Sequence, residues 1–415
     1  MGERAVSAFG MLVMMALAFA LCPRYRRRLV KLRTVGGGLL VLIVFAVIVL
    51  RTPASRLFLL GNDLVDRLLA FSRDGASFLF GRLTTDPASF GFILAFQVLP
   101  TILFFSALMS LLYHLRVMPF IIETLGRLLM RVLGTSGAES FSTVADIFVG
   151  QTEAPLAIKP YLAKMSNSEL NACMVAGFAT TAGGVLAAYV AMLSGAVPGI
   201  AGHLIACSVM CAPASLVIAK LMLPEDAGRD YAHEQRVNIP QASENVLDAI
   251  TQGTGDGIRL AVNVGGMLVV FLALTAMLNA GLGYLGGLFG HPLTLEQIFG
   301  WVFAPLAWVM GVPSSDVLKV GQLLGQKTAL NEFVAYSHMA DMLSKDPHWL
   351  TERGRVITAY ALCGFANFGS IGIQIGGYSG LAPERRGDIS RLAFKAMLGG
   401  LLATCLVACV AGVLL

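Results

Sequence analysis

Gly150-Gln151-Thr152-Glu153 puts an amide, a hydroxyl and a carboxylate side by side in an otherwise apolar, helix-forming stretch. A second group, Asn331-Glu332, lies in a similar stretch, and Asn367 and Ser370 follow at the spacing of one helical turn. Burying such groups without partners costs roughly 2–7 kcal/mol each. Gathered in an apolar chain, they read as a site for something polar that crosses a membrane. An amide offers two donors and an acceptor, and a serine hydroxyl one donor and two acceptors. With the Glu332 carboxylate they suit a ligand carrying vicinal hydroxyls. Phe365 stands two residues before Asn367 and borders that site or packs in the core. The structural alternative is polar glue between helices, worth roughly 0.6–2 kcal/mol per bond, with Lys327 as an ion-pair partner for Glu332. Three successive polar residues at a tight break point several ways at once, which packing rarely requires.

The chain around these residues is a membrane chain. Of 415 residues 56% are hydrophobic and 13% charged, where a soluble domain carries roughly 25% charged. Apolar runs recur at Ala5–Leu21, Gly36–Leu50, Gly91–Tyr113, Leu170–Met192, Ile200–Met222, Gly257–Leu282, Val356–Gly377 and Leu392–Leu415. A bilayer-crossing helix needs about 20 residues, so the composition predicts an all-α polytopic membrane protein with about eight spans. Three stretches follow: 1–90 with two spans and an interfacial helix, 91–222 with the third span, a broken region and its following helices, and 223–415 with a polar connector (Asp226–Val246), a second broken region and the last two spans. The net charge of +5 does not indicate nucleic acid. The basic residues Arg24, Arg26, Arg27, Arg28, Lys31 and Arg33 follow the first span, which by the positive-inside rule makes that loop cytoplasmic and the N-terminus external in an inner (plasma) membrane. Arg385, Arg386, Arg391 and Lys395 mark another cytoplasmic loop, whereas Arg51, Arg56, Arg67, Arg73 and Arg82 run against the rule. The first 22 residues carry their charge after the apolar core, as an anchor helix does and a cleaved signal does not. His203, Cys207 and Cys211 have a metal-ligand spacing, but free cysteines in apolar helices are packing residues first.

Leu57, Leu60, Leu64, Leu68 and Phe71 form one face of an amphipathic interfacial helix over Arg56–Arg73, and Met118–Leu133 resembles a second. Two regions, about 138–165 and about 297–343, hold half-length apolar runs interrupted by Gly, Pro and polar residues: at Gly150–Pro155 in the first, and at Gly311–Asp316 and around Gly325–Glu332 in the second. They predict re-entrant hairpins, which survive at membrane depth only within protein or against a cavity. Gly325-Gln326-Lys327-Thr328 echoes Gly150-Gln151-Thr152-Glu153, and Gly364-Phe365-Ala366-Asn367 echoes Gly177-Phe178-Ala179-Thr180. Paired interruptions in two inverted halves point to a secondary transporter's central site. Gly321–Thr328 superficially matches a phosphate-cradling loop, but Gln326 stands where that motif needs glycine.

Val149-Gly150-Gln151-Thr152-Glu153-Ala154-Pro155-Leu156, Leu330-Asn331-Glu332-Phe333-Val334-Ala335-Tyr336 and Gly364-Phe365-Ala366-Asn367-Phe368 resemble the concentrative nucleoside transporters, bacterial branch. The resemblance implies a homotrimer in the lipid bilayer that moves nucleosides inward with an ion gradient by elevator motion, without cofactor or enzymatic step. It implies nucleobase contacts from Gln151, Thr152, Glu153 and Val185, and ribose contacts from Glu332, Asn367 and Ser370 with Phe365 alongside. The coupling-ion positions fall on Asp146, Val149, Thr180 and Thr181, with no further metal. Sodium-coupled members carry Asn where this chain has Asp146. A carboxylate there either carries a proton, since desolvation opposes its charged form, or binds sodium directly; the residues favour the proton. Competing readings are a transporter of another small polar metabolite, a gated pore, and a membrane enzyme on a lipid-linked substrate. The enzyme would need a nucleophile–base pair, and His338 is the only histidine in either broken region.

Overall fold

In the computed structural model residues 2–51, 55–86, 89, 93–226, 243–288 and 293–415 are described. The described residues are helical almost throughout, as apolar surroundings require of a backbone that must satisfy its own polar groups. Helices α1 (Glu3–Ala20), α2 (Leu32–Arg51) and α3 (Ser55–Phe80) are followed by α4 (Leu99–His114) and α5 (Val117–Leu133). Next come α6 (Gly137–Val149), α7 (Asn167–Ala179), α8 (Gly183–Leu193) and α9 (Ile200–Met222). The 43-residue α10 (Val246–Leu288) is roughly 65 Å long at 1.5 Å per residue, about twice a hydrocarbon core. The second half continues with α11 (Leu295–Val309), α12 (Val317–Ala329), α13 (Glu332–Lys345), α14 (Glu352–Leu362), α15 (Phe368–Leu381) and α16 (Arg386–Leu414).

Seven stretches among the described residues are long and apolar enough to span a membrane. The expected eighth, Val356–Gly377, is two short helices, α14 and α15, separated by unwound Cys363–Asn367. The α7–α8 stretch is interrupted likewise at Thr180–Ala182. The α7–α8 pair, α9 and α16 form the enclosed centre together with the buried α14, whereas α1, α2, α4 and α10 turn most of their surface outward and α15 buries only Ser370, Gln374 and Tyr378. Helix α3 runs beyond the expected Arg56–Arg73. It buries Leu69, Ser72 and Ala76 and exposes Leu64 and Phe71; Leu57 and Leu60 lie outside the described side chains, and most of the polar connector lies outside the described residues. α5 forms as expected, burying Met118, Ile122, Leu129 and Leu133.

Charged contacts fix the two ends of the molecule. At one end Arg26 pairs with Asp226 at 3.0 Å, Lys395 donates to the Met222 carbonyl at 3.2 Å, and Arg385 donates to the Met165 carbonyl at 2.6 Å. Both basic loops therefore lie at the same end. α6 and α7 start there, each opened by a capping box (Ser136 with Glu139, Ser166 with Glu169). Lys220 of α9 ties them together, meeting Glu139 at 2.6 Å and Ser168 at 2.9 Å. At the opposite end Arg353 meets Glu3 at 3.3 Å and donates to the Gly412 carbonyl at 2.7 Å. α1 is thus packed into the fold, with Ser7 buried and donating to Met310 O at 2.9 Å.

α6 enters from the basic end, breaks at Gly150, and short helices at Ala154–Ala157 and Lys159–Leu162 bring the chain back to Arg385. α12 enters from the other end at Asp316, breaks at Leu330–Asn331, and α13 brings the chain back, where Thr351 donates to Asp316 at 2.6 Å. One expectation is corrected here. Gly325-Gln326-Lys327-Thr328 is helical and lies before the break, so it is not the counterpart of Gly150–Glu153. Gly325 serves close packing: a Cβ there would collide with the Phe299 side chain. The stretch resembling a phosphate loop is likewise inside α12.

Candidate substrate site

Four helix ends meet at the centre. A Cβ on Gly364, at φ 101°, would collide with the Ala179 carbonyl, so the unwound segments of α7–α8 and α14–α15 cross in backbone contact. The Gly364 amide donates to Thr181 Oγ1 at 2.9 Å across that crossing. The α6 break abuts the same place: Gly150, at φ 83°, faces Ala182 at 2.8 Å from where its Cβ would stand. Only glycine accepts such a φ without strain.

The predicted polar residues converge there. Asn331 and Asn367 are N-caps, accepting from Val334 N and Ser370 N at 2.8 Å each. Capping pins each amide, so Asn367 turns its Nδ2 outward and donates to Glu332 Oε2 at 3.0 Å. Glu332 Oε1 accepts from Tyr189 OH at 2.8 Å. Gln151 Nε2 donates to Ser370 Oγ at 3.2 Å, joining the first half of the chain to the second. Gln374 Nε2 donates both to the Met174 carbonyl at 3.0 Å and to Gln151 Oε1 at 3.1 Å. Gly177 makes room for it, since a Cβ there would lie 2.7 Å from Gln374 Nε2. Val185 is buried on α8, one turn before Tyr189. Phe365 is half-buried against the core. Thr152 and Glu153 are exposed, with Asp256 of α10 within electrostatic reach of Glu153.

Asp146 is fully buried on α6, and neither carboxylate oxygen has a hydrogen-bond partner. Among the described residues no Lys or Arg pairs with it. Thr180 Oγ1 donates to Ala176 O at 2.9 Å, and Thr181 Oγ1 serves Gly364 N and Cys363 Sγ. Asp146 is thus hydrogen-bonded to neither threonine, although the α6 break, with half-buried Val149, adjoins theirs. Lys327 forms no ion pair with Glu332; its Nζ donates to Ala361 O, Cys363 O and Thr404 Oγ1. The His203–Cys207–Cys211 stripe faces Tyr360, and no described group of three such side chains is placed to hold a metal.

Residues 203–412 match the family described as Na+ dependent nucleoside transporter C-terminus, and residues 9–83 its N-terminal counterpart. Residues 95–196 match the nucleoside recognition (Gate) family. The chain is 45% identical to an uncharacterized transporter of Haemophilus influenzae, covering 98% of this chain and 96% of that one. The chain belongs to the concentrative nucleoside transporter family. It is 38% identical to the rat sodium/nucleoside cotransporter 1 over 99% of this chain, and spans 64% of that longer protein. A structure of CNTnw in an inward-facing, substrate-bound state matches with TM-score 0.91 and 42% identity, covering 99% of this chain and 98% of that chain. A substituted CNTnw in an outward-facing state matches at 0.92 with the same identity, covering 99% and 97%. This protein is therefore a multi-pass membrane transporter of that family and not an enzyme.

Sequence reasoning missed Tyr189 and Gln374. Gln374 was signalled by a polar side chain one turn beyond Ser370 in an apolar run. Tyr189 carried no signal beyond its place one turn after Val185.

Proposed function

We propose that this transporter moves nucleosides inward by cation symport, holding them where the four helix ends meet. The carrying observation is the network that joins the two halves there: Gln151 to Ser370 on one side, and Tyr189 to Glu332, which also accepts from Asn367, on the other. In this reading α6 with its returning short helices, and α12 with α13, are two re-entrant hairpins of inverted halves, entering from opposite ends. Gln151, Thr152, Glu153 and Val185 face the nucleobase; Glu332, Asn367, Ser370 and Phe365 face the ribose. The basic end is cytoplasmic, the N-terminus external, and the assembly a homotrimer in the plasma membrane. The central module shifts against α4 and α10 as an elevator.

The coupling cation is held at Asp146. An isolated buried carboxylate costs several kcal/mol, and a cation that shares it removes that cost. A proton needs only one of the two unpartnered oxygens. Sodium is the second reading, favoured by the hydroxyls of Thr180 and Thr181 at the adjoining break and by the sodium dependence in the matched family's description. Uptake of labelled uridine into proteoliposomes of the full chain tests this. One charge moving down 100 mV provides ~2.3 kcal/mol, roughly 50-fold accumulation. A proton gradient in sodium-free buffer drives it under the first reading and sodium under the second. Mere equilibration under every gradient refutes symport.

A further inference from the structure

We infer that Tyr189 aims the Glu332 carboxylate and thereby sets the discrimination between ribonucleosides and their deoxy analogues. This rests on Glu332 as the ribose contact. A carboxylate at a helix start can rotate about its last torsion, and a ligand with two neighbouring hydroxyls needs it held in one plane. Two donors hold it here, one on each oxygen: Asn367 Nδ2 on Oε2 at 3.0 Å and Tyr189 OH on Oε1 at 2.8 Å. Each oxygen keeps a lone pair for a ligand hydroxyl. The Asn367 amide is fixed by its capping bond to Ser370 N. Tyr189 is fixed by packing. It is fully buried, with its ring 4.5 Å from that of Tyr336 and 5.7 Å from that of Phe333, centroid to centroid. Both rings sit on α13, the helix that Glu332 begins, so phenol and carboxylate are held as one unit. Tyr189 lies one turn from Val185 on α8 and so couples the side assigned to the base to the side assigned to the ribose. Its hydroxyl is a positioning group, not a substrate contact.

The test measures binding of uridine, 2′-deoxyuridine and 3′-deoxyuridine to the purified full chain carrying Tyr189→Phe, with Glu332→Gln in parallel. Tyr189→Phe keeps the ring and removes one donor to a charged acceptor. Uridine affinity is expected to fall roughly tenfold, and that of the deoxynucleosides less than about threefold, so the ribose-to-deoxyribose ratio shrinks. A purely structural tyrosine would weaken all three ligands by the same factor, and that result overturns the inference, as does an unchanged ratio. If Glu332→Gln collapses the ratio while Tyr189→Phe preserves it, the ribose role of Glu332 stands and the inference falls. If Glu332→Gln itself preserves the ratio, both fall. Tyr189→Met, apolar and without a donor, carries the same expectation should the phenylalanine variant not be recovered from the membrane.

Discussion

Asp146 and Lys327 each stand four residues before the break in their half of the chain, at Gly150 and Asn331, yet the two buried charges are treated in opposite ways. Lys327 Nζ donates to Ala361 O at 2.8 Å and to Cys363 O and Thr404 Oγ1 at 3.1 Å. The Thr404 hydroxyl spends its own hydrogen on Leu401 O at 3.0 Å, so toward Lys327 it is an acceptor. Three acceptors around one nitrogen require three N–H groups, and only the ammonium has three. That charge sits at the C-terminal end of α14, where a helix dipole favours a cation. Asp146 has no hydrogen bond at either oxygen. One half thus carries its cation on a side chain. The other carries a carboxylate that, in the symport proposed above, receives a cation that travels. In that proposal Lys327 belongs to structure and Asp146 to coupling, and substitution separates the two.

The largest effect is expected for Lys327→Met. It strands the Ala361 and Cys363 carbonyls at the end of α14 and takes away the donor to Thr404 Oγ1. At roughly 1–3 kcal/mol per stranded group, the loss is on the order of 3 kcal/mol or more. Thermal unfolding in detergent is expected to show a large drop, and nucleoside binding is lost with the fold. A variant that melts like the parent would remove the structural side of the comparison.

Asp146→Asn is expected to do the reverse. No hydrogen bond is lost, so the change in stability is expected to stay within about 1 kcal/mol, the centre of the distribution for point substitutions. In proteoliposomes the roughly 50-fold accumulation available from 100 mV collapses toward equilibration when only a proton gradient is imposed. Under the sodium reading, sodium-driven uptake survives with weakened affinity for the ion. Strong destabilisation without any change in ion dependence would place Asp146 with Lys327 on the structural side.

The helices and the first break were legible because apolar run length and its interruption by Gly, Pro and polar residues are local. Glu332, Asn367, Gln151 and Ser370 were legible because polar groups in apolar runs have few reasons to be there. The second break falls within the expected Gly325–Glu332, but the echo of Gly150–Glu153 in Gly325–Thr328 was wrong because two glycines with different duties look alike in sequence. Gly150 takes a positive φ at a chain reversal, while Gly325 admits the Phe299 side chain inside a helix. The satisfaction of Lys327 and the pairing of Tyr189 with Glu332 depend on partners 34 to 77 and 143 residues away, which no local pattern encodes. Asp146 was conspicuous in sequence, but that its oxygens are unpartnered is a property of the packed helices.

The smallest expected effect concerns Gln374, a second-half residue that reaches into the first. The Met174 carbonyl fixes which end of its amide is the donor, so Gln374 Nε2 must meet Gln151 Oε1, and Gln151 must turn Nε2 toward Ser370. Gln374 thereby orients the amide assigned to the nucleobase, as Tyr189 orients the carboxylate assigned to the ribose. Gln374→Leu removes one net hydrogen bond to Gln151, worth about 1 kcal/mol, or roughly fivefold in Kd. Because the loss falls on the base side, uridine and 3′-deoxyuridine are expected to weaken by the same factor, leaving intact the ratio that Tyr189→Phe reduces. Gln374→Glu is expected to be worse than leucine, since a carboxylate would face the Met174 carbonyl and Gln151 Oε1 with no donor for either. Binding of the same ligands to both variants decides the matter. A ribose-to-deoxyribose ratio that shrinks in Gln374→Leu as it does in Tyr189→Phe would mean that Gln151–Ser370 and Glu332–Asn367 form one cooperative unit, and the division into a base side and a ribose side would have to be abandoned.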